Sequence, residues 1–141
     1  MDKARAEQFC RSYERAMVAD DAVALAGHYG FPHTSFTLGW VNTFADRDQA
    51  NAQVAGQIDR LRKCGAGTDI RLTELTVQPV SEGSALCHFT WEVDPADGTP
   101  GWSWVNVYGL RQTADAQYFE FNISDNEIGE LIARYPAFME G

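Results

Sequence analysis

Apolar and polar residues alternate strictly from Ala85 to Val93. Ala85, Cys87, Phe89, Trp91 and Val93 are apolar, while His88, Thr90 and Glu92 are polar. Period-two alternation predicts a strand with one face buried. Tyr118 to Ser124 alternates too, with Phe119, Phe121 and Ile123 on one face and Tyr118, Glu120 and Asn122 on the other. Trp102 to Leu110 is apolar in both phases. That run predicts a strand covered on both sides, lying between the other two in an antiparallel meander. Thr68 to Val80 is a further strand with a phase slip: Ile70 and Leu72 share one phase, Leu75 and Val77 the other. A bulge near Glu74 restores a single buried face.

The first half of the chain has helical spacing instead. Ala6, Phe9, Cys10, Tyr13 and Met17 form one stripe between Asp2 and Ala19. Asp21 is placed to cap a short helix carrying Val23, Leu25, Ala26 and Tyr29, which Gly30 and Pro32 stop. His33 to Phe44 reads as a strand pair or one bent strand; Thr34, Phe36, Leu38 and Trp40 share a phase and Gly39 marks a turn or a bulge. Asp46 and Gln49 have capping-box spacing ahead of a long helix with the stripe Ala50, Val54, Ile58 and Leu61, ended by Gly65 and Gly67. Ser124 and Glu127 repeat that spacing before a tail helix whose face is Ile128, Leu131, Ile132 and Tyr135, closed by Pro136. Helices segregated from a run of strands predict an α+β fold, with one domain spanning residues 1–141.

Composition narrows the partners. The formal net charge of −9 repels phosphate backbones and anionic lipid, so neither nucleic acid nor a membrane surface is expected. The basic cluster from Arg60 to Lys63 ends a helix, where cations suit the dipole. No apolar run approaches the roughly 20 residues that span a bilayer. The N-terminal MDKARAEQF has no apolar signal-peptide core. Cys10, Cys64 and Cys87 are odd in number and lack CxxC spacing, which predicts reduced thiols and a cytoplasmic chain. No spacing for a metal site, a nucleotide-binding glycine loop or a nucleophile elbow occurs. Four Trp and eight Phe can build a core and also line a cavity for an apolar ligand.

The order helix, short helix, hairpin, long helix and long meander resembles the nuclear transport factor 2-like superfamily, which includes SnoaL-like polyketide cyclases and ketosteroid isomerases. The resemblance implies a cone-shaped, cystatin-like fold in which a strongly bent, mainly antiparallel sheet wraps the N-terminal helices and leaves a pocket. It also implies a homodimer through the outer sheet face. The run from Tyr13 to Tyr29, YERAMVADDAVALAGHY, is similar to the start of the ketosteroid isomerases, whose oxyanion-binding Tyr lies eight residues before an Asp; here Tyr13 precedes Asp21. Their second oxyanion donor falls on Asn106 in the run Val105-Asn106-Val107-Tyr108. Their proton-shuttling Asp falls on Thr37, and Phe31 to Leu38 contains no carboxylate, which argues against ketosteroid isomerisation.

The candidate catalytic residues are therefore Tyr13 and Asn106, as donors to a carbonyl or enolate oxygen, and His33, which follows Pro32 and has the neutral-range basicity that proton transfer needs. One pre-aimed donor of this kind contributes about 3 kcal/mol in known oxyanion holes. The structural alternative is a core tyrosine tied to a buried amide. Met17, Phe89, Trp91, Trp104, Tyr108, Phe119 and Phe121 are the candidate ligand-binding residues. Their strand phases put Glu120 and His88 on the outer face; a reversed phase would make Glu120 a pocket carboxylate. The expected ligand is a small apolar, carbonyl-bearing molecule, handled without a cofactor by proton transfer, cyclisation, dehydration or hydrolysis. The rival expectation is a non-catalytic module that pairs through Trp102, Ser103, Trp104 and the Tyr118 face over a vestigial cavity.

Overall fold

The computed structural model describes residues 1–37, 39–64, 68–95 and 98–139; Leu38, Gly65, Gly67 and the side chain of Ile128 lie outside the described residues. The elements are α1 (Lys3–Val18), α2 (Ala22–Ala26), β1 (Tyr29–Thr37), β2 (Trp40–Phe44), α3 (Arg47–Lys63), β3 (Thr68–Ser81), β4 (Ser84–Pro95), β5 (Trp102–Gln112), β6 (Gln117–Ser124) and α4 (Asp125–Arg134), followed by a 3₁₀ turn at Pro136–Met139. The fold is α+β. Six strands form one curved sheet in the order β2-β1-β6-β5-β4-β3. All neighbours are antiparallel except β1 and β6, whose parallel pairing joins the two halves of the chain.

The strands follow their patterns closely. In β4 every apolar odd-numbered position from Ala85 to Val93 is buried. β5 lies between β4 and β6 as predicted, but it is covered on one side only: its outer phase, with Val105 at 43% exposure, is open. β3 slips register between Leu72 and Glu74, so Leu72 opposes Trp91 and Leu75 opposes Phe89 on the same face. A second slip lies in β6, where Gly109 opposes Phe121 and Leu110 opposes Phe119. This bulge at Glu120 separates Phe119, which is buried, from Phe121, which points to the outer face and covers Gly109. A side chain at Gly109 would collide with the Phe121 ring. Beyond the bulge, Asn122 and Ser124 turn inward instead of outward.

Helix starts are set by side-chain caps. Asp2, Asp21 and Asp46 each accept from the backbone N–H three residues on. The Gln49 side chain reaches back to the N–H of Ala45, completing a box around the start of α3. The second helix is shorter than its spacing predicts: it ends at Gly27, and Tyr29 begins β1. α1 lies on the inner face of the sheet, with Phe9 and Tyr13 edge-on to Phe119 and Tyr13 edge-on to Phe89. Of the α3 stripe only Ala50 is fully buried; Val54, Ile58 and Leu61 are half-buried because they face a cavity instead of a packed core.

Trp102 and Trp104 correct one expectation. Both point inward, at 7% and 4% exposure, so the outer face of β5 is carried by Ser103, Val105 and Val107. The inward phase of β5 is the even-numbered one, and its tryptophans serve the cavity side.

Candidate functional site: a cavity between the sheet and the third helix

The inner face of the sheet, α1, α3 and α4 enclose a cavity of about 340 Å³, the lower range of small-molecule pockets. Its walls are unequal. Val54, Ile58 and Leu61 of α3, with Ile70, Val93 and Trp102, supply apolar surface. Tyr13, Tyr29, Tyr108, Asn106, Asn122, Ser124 and Glu127 supply polar groups. Asp20, Trp40 and Arg60 also line it; Asp20 pairs with Arg62 at 3.2 Å.

Three tyrosines from three elements meet at one point. Tyr13 Oη lies 2.8 Å from Tyr29 Oη and 2.8 Å from Tyr108 Oη. Three phenols own three hydrogens, and two bonds use two of them. The third pair, Tyr29 and Tyr108, also interacts but makes no bond of that length, so the third O–H is the one best placed to turn to a ligand oxygen. Burial pushes all three phenols up, Tyr29 to about 12, so all keep their protons at neutral pH.

Asn106 belongs to a different chain of bonds. Trp104 Nε1 donates to Asn106 Oδ1 at 2.9 Å, Asn106 Nδ2 donates to Ser124 Oγ at 2.7 Å, and Ser124 Oγ donates to Glu127 Oε2 at 2.7 Å. Gln57 Nε2 of α3 donates to the other oxygen, Glu127 Oε1, at 3.3 Å. Burial pushes the Glu127 carboxyl up, while its hydrogen bonds from Ser124 and Asn106 pull it down; the upward push prevails. The Ser124–Glu127 spacing thus forms a bond between side chains rather than a helix cap.

His33 lies behind this wall. It is fully buried, stacked on Tyr29 with ring centroids 4.1 Å apart, and absent from the cavity lining. Nδ1 is 3.0 Å from the Phe119 carbonyl and Nε2 is 2.9 Å from the Asn122 carboxamide. Burial lowers its basicity, which favours the neutral ring. Nδ1 then donates to the carbonyl, and the neutral ring has no second hydrogen for Asn122 Oδ1, while Asn122 Nδ2 donates to Ser35; both ring nitrogens face the wall and neither is free for a ligand.

Of the residues singled out in the sequence, Tyr13, Asn106, Met17, Trp104 and Tyr108 line the cavity. Phe89, Trp91 and Phe119 are buried core beneath the tyrosines, and Phe121 is on the outer face. Glu120 pairs outward with Arg111 at 3.1 Å, and His88 lies on the outer face near Gln78. Tyr29, Asn122 and Glu127 were not read as site residues. Among the described residues, no group of three His, Cys, Asp or Glu side chains is arranged for a metal ion. No helix of the described residues is long and apolar enough to cross a membrane.

The Glu127 environment sets a pH dependence. A carboxyl raised in the folded state favours the protonated form, so the folded chain binds more protons than the unfolded one. The stability it contributes is full below the unfolded value of about 4.3 and is lost as pH rises through the folded value. His28 and His33, both lowered by burial, act oppositely as pH falls below about 6.5. The difference in unfolding free energy between Glu127→Gln and the parent isolates the carboxyl. It is expected to shift in favour of the variant as pH rises from about 4 to 7, measured by urea unfolding at each pH. A difference constant with pH contradicts the raised carboxyl.

The comparisons with known proteins agree with this architecture. Residues 2–119 match the family described as NTF2-like protein (DUF6841). No curated protein matches the sequence. An NTF2-like protein with a cystatin-like fold from Novosphingobium aromaticivorans is 20% identical, with 98% of this chain and 88% of that chain covered and a TM-score of 0.68. A domain of unknown function with a cystatin-like fold from Nostoc punctiforme is 14% identical, with 96% and 86% covered and a TM-score of 0.70. Aln2 from a Streptomyces species is 15% identical, with 94% of each chain covered and a TM-score of 0.66. Such identities establish a shared fold and carry no chemistry. The sequence match and the cone of sheet and helices together make this chain a member of the NTF2-like family DUF6841.

Proposed function

We propose that the cavity binds a small, largely apolar molecule through a carbonyl-type oxygen that accepts from the Tyr13–Tyr29–Tyr108 cluster. The observation that carries this is the third phenolic hydrogen, which neither of the two 2.8 Å bonds of the cluster uses. A buried donor without an acceptor is costly, and a ligand oxygen or a water relieves that cost. Apolar walls from α3 and Trp104 receive the rest of the molecule. The reaction classes open to such a site are those that build negative charge on the bound oxygen: proton transfer, cyclisation and dehydration. Asn106 is a poor second donor to the ligand, because its carboxamide is engaged by Trp104, Ser124 and Glu127.

The test is a pair of probes of one shape. 2-Tetralone carries a ketone and tetralin is the same bicycle without it. Titration followed by the fluorescence of cavity-lining Trp104 and Trp102 is expected to give about 10-fold tighter binding of the ketone, the worth of one good hydrogen bond. Equal affinity for the two contradicts the reading.

The outer face supports a second, compatible proposal, a homodimer. Phe36, Ile123 and Val105, at 42%, 37% and 43% exposure, line the outer side of β1, β6 and β5. Phe36 pairs with Ile123, and Ile123 with Val107, so Phe36, Ile123 and Val107 form one row across three strands, with Val105 two residues along β5 on the same face and Phe121 packed on Phe36. Light scattering is expected to give twice the chain mass, and Ile123→Lys with Val105→Lys to give a monomer. A parent chain that is monomeric throughout contradicts this pairing.

A further inference from the structure

The polar wall contains a carboxylate held by a directional chain of bonds. We infer that Glu127 is the proton-transferring base of the cavity and that Trp104, Asn106 and Ser124 are its positioning residues. The inference rests on the ligand reading above and deepens it. Among the described residues only Asp20 and Glu127 bring a carboxylate to the cavity, and Asp20 is exposed and paired with Arg62. The first strand, where the resemblance puts a proton-shuttling carboxylate, presents Ser35 and Thr37 to the cavity instead. The base is supplied by the first turn of α4, which follows Ser124, the β6 partner of Thr37.

The hydrogens fix the direction. Trp104 Nε1 can only donate, so it holds the Asn106 carboxamide by its oxygen and turns its N–H groups away. Ser124 Oγ accepts from that amide, and its single hydrogen goes to Glu127 Oε2. With Glu127 ionised every link donates toward the carboxylate, and with Glu127 protonated the Ser124 oxygen still has a lone pair for its hydrogen, so the chain holds the carboxyl in place in both states a base must visit. Gln57 from α3 holds the other oxygen across the cavity. Tyr29 from β1 and Tyr108 from β5 line the same cavity as Glu127, so one bound molecule can meet both the carboxylate and the phenols. Tyr13 from α1, Asp20 after it and Arg60 from α3 are the other ionisable groups lining the space.

In the step this permits, a Glu127 oxygen takes a proton from the carbon beside the ligand carbonyl. The C–H electron pair becomes the enolate C=C bond, and the carbonyl pair moves onto oxygen, where a tyrosine hydroxyl donates to it. The protonated Glu127 returns its proton, or one exchanged with solvent, to carbon. No oxidant or reductant enters.

The test follows deuterium uptake at the α-carbons of 2-tetralone in D₂O by NMR, beside the fluorescence titration. The parent protein is expected to accelerate uptake above buffer, and Glu127→Gln to lower that acceleration by about 100-fold or more while still binding the ketone. Glu127→Asp, which keeps a carboxylate and withdraws it, is expected to retain part of the rate. The rate rises with pH as the base form appears. Asn106→Ala removes a bond that favours the carboxylate, so that rise is expected to move to higher pH; a merely structural role for Asn106 lowers stability without moving it. Ketone bound without accelerated exchange overturns the role of Glu127 and leaves the binding reading standing. Exchange undiminished in Glu127→Gln also overturns it. Absence of ketone binding overturns both.

Discussion

Replacing Phe119 with alanine is expected to lower the unfolding free energy by about 3–5 kcal/mol. Phe119 has no exposed surface. Its ring contacts Phe9 at 5.0 Å and Tyr13 at 5.3 Å from α1, Tyr108 at 4.7 Å from β5 and Phe89 at 6.3 Å from β4. It is where the first helix is pressed onto the sheet. Alanine keeps the backbone bonds of that residue, whose N–H donates to the His28 carbonyl and whose own carbonyl accepts from His33. What is lost is the ring, leaving a hole that a helix and three strands share and that cannot close without moving Tyr13. The control is Phe121→Ala, two positions on and of the same chemistry. Phe121 lies on the outer face, half-buried, so its loss is expected to cost about 1 kcal/mol. Urea unfolding of both variants, followed by circular dichroism, measures the contrast. Equal losses at the two positions contradict the bulge that puts them on opposite faces.

The second large effect concerns the tyrosines, and its signature is non-additivity. Changing Tyr29 or Tyr108 alone to phenylalanine removes one hydroxyl and one bond together, so one hydrogen is still left over for the ligand. Each single variant is therefore expected to lose only about 2- to 3-fold in affinity for 2-tetralone, through weaker polarisation of the remaining pair. Changing all three tyrosines to phenylalanine removes every donor of the cluster. Affinity is then expected to fall about 10-fold or more, to the level of tetralin. Isothermal calorimetry or the fluorescence titration measures the series. Loss in equal steps for each hydroxyl removed contradicts the counting argument, because it makes the three groups independent donors.

These two cases also show what the sequence made legible. In β4 one face is buried from end to end without a bulge, so alternation alone gives every inward residue correctly. The slip in β3 is visible as well, because Leu72 and Leu75 break phase in the apolar pattern itself. The slip in β6 is hidden. Phe121 and Ile123 continue the apolar phase of Phe119 after the bulge has turned that phase outward, because the outer face there is apolar too. Misreading that one residue put Asn122 on the wrong face and Phe121 in the cavity. The even phase of β5 raised the same difficulty, since both phases are apolar and nothing in the pattern says that Trp102 and Trp104 go inward.

Two site residues were concealed by local spacings that fit something else. Tyr29 stands three and four residues after Ala26 and Leu25, which is helical spacing, but α2 ends at Gly27 and the phenol enters the cavity from a strand. Glu127 stands three after Ser124, which is capping spacing. What sends the Glu127 side chain into the cavity is the inward turn of Ser124 beyond the bulge, a tertiary fact with no local signature. Asn106 and Tyr13 were found by the resemblance, and both line the cavity. Their partners differ from expectation: Tyr13 bonds two tyrosines, and Asn106 serves Glu127.

The binding reading depends on where a ligand's oxygen goes. A crystal structure of the protein with 2-tetralone measures this directly. The ketone oxygen is expected within about 3 Å of a hydroxyl of Tyr13, Tyr29 or Tyr108, with the bicycle between Trp104 and the α3 stripe. A ketone seated in the same cavity with its oxygen turned away from all three phenols contradicts the account.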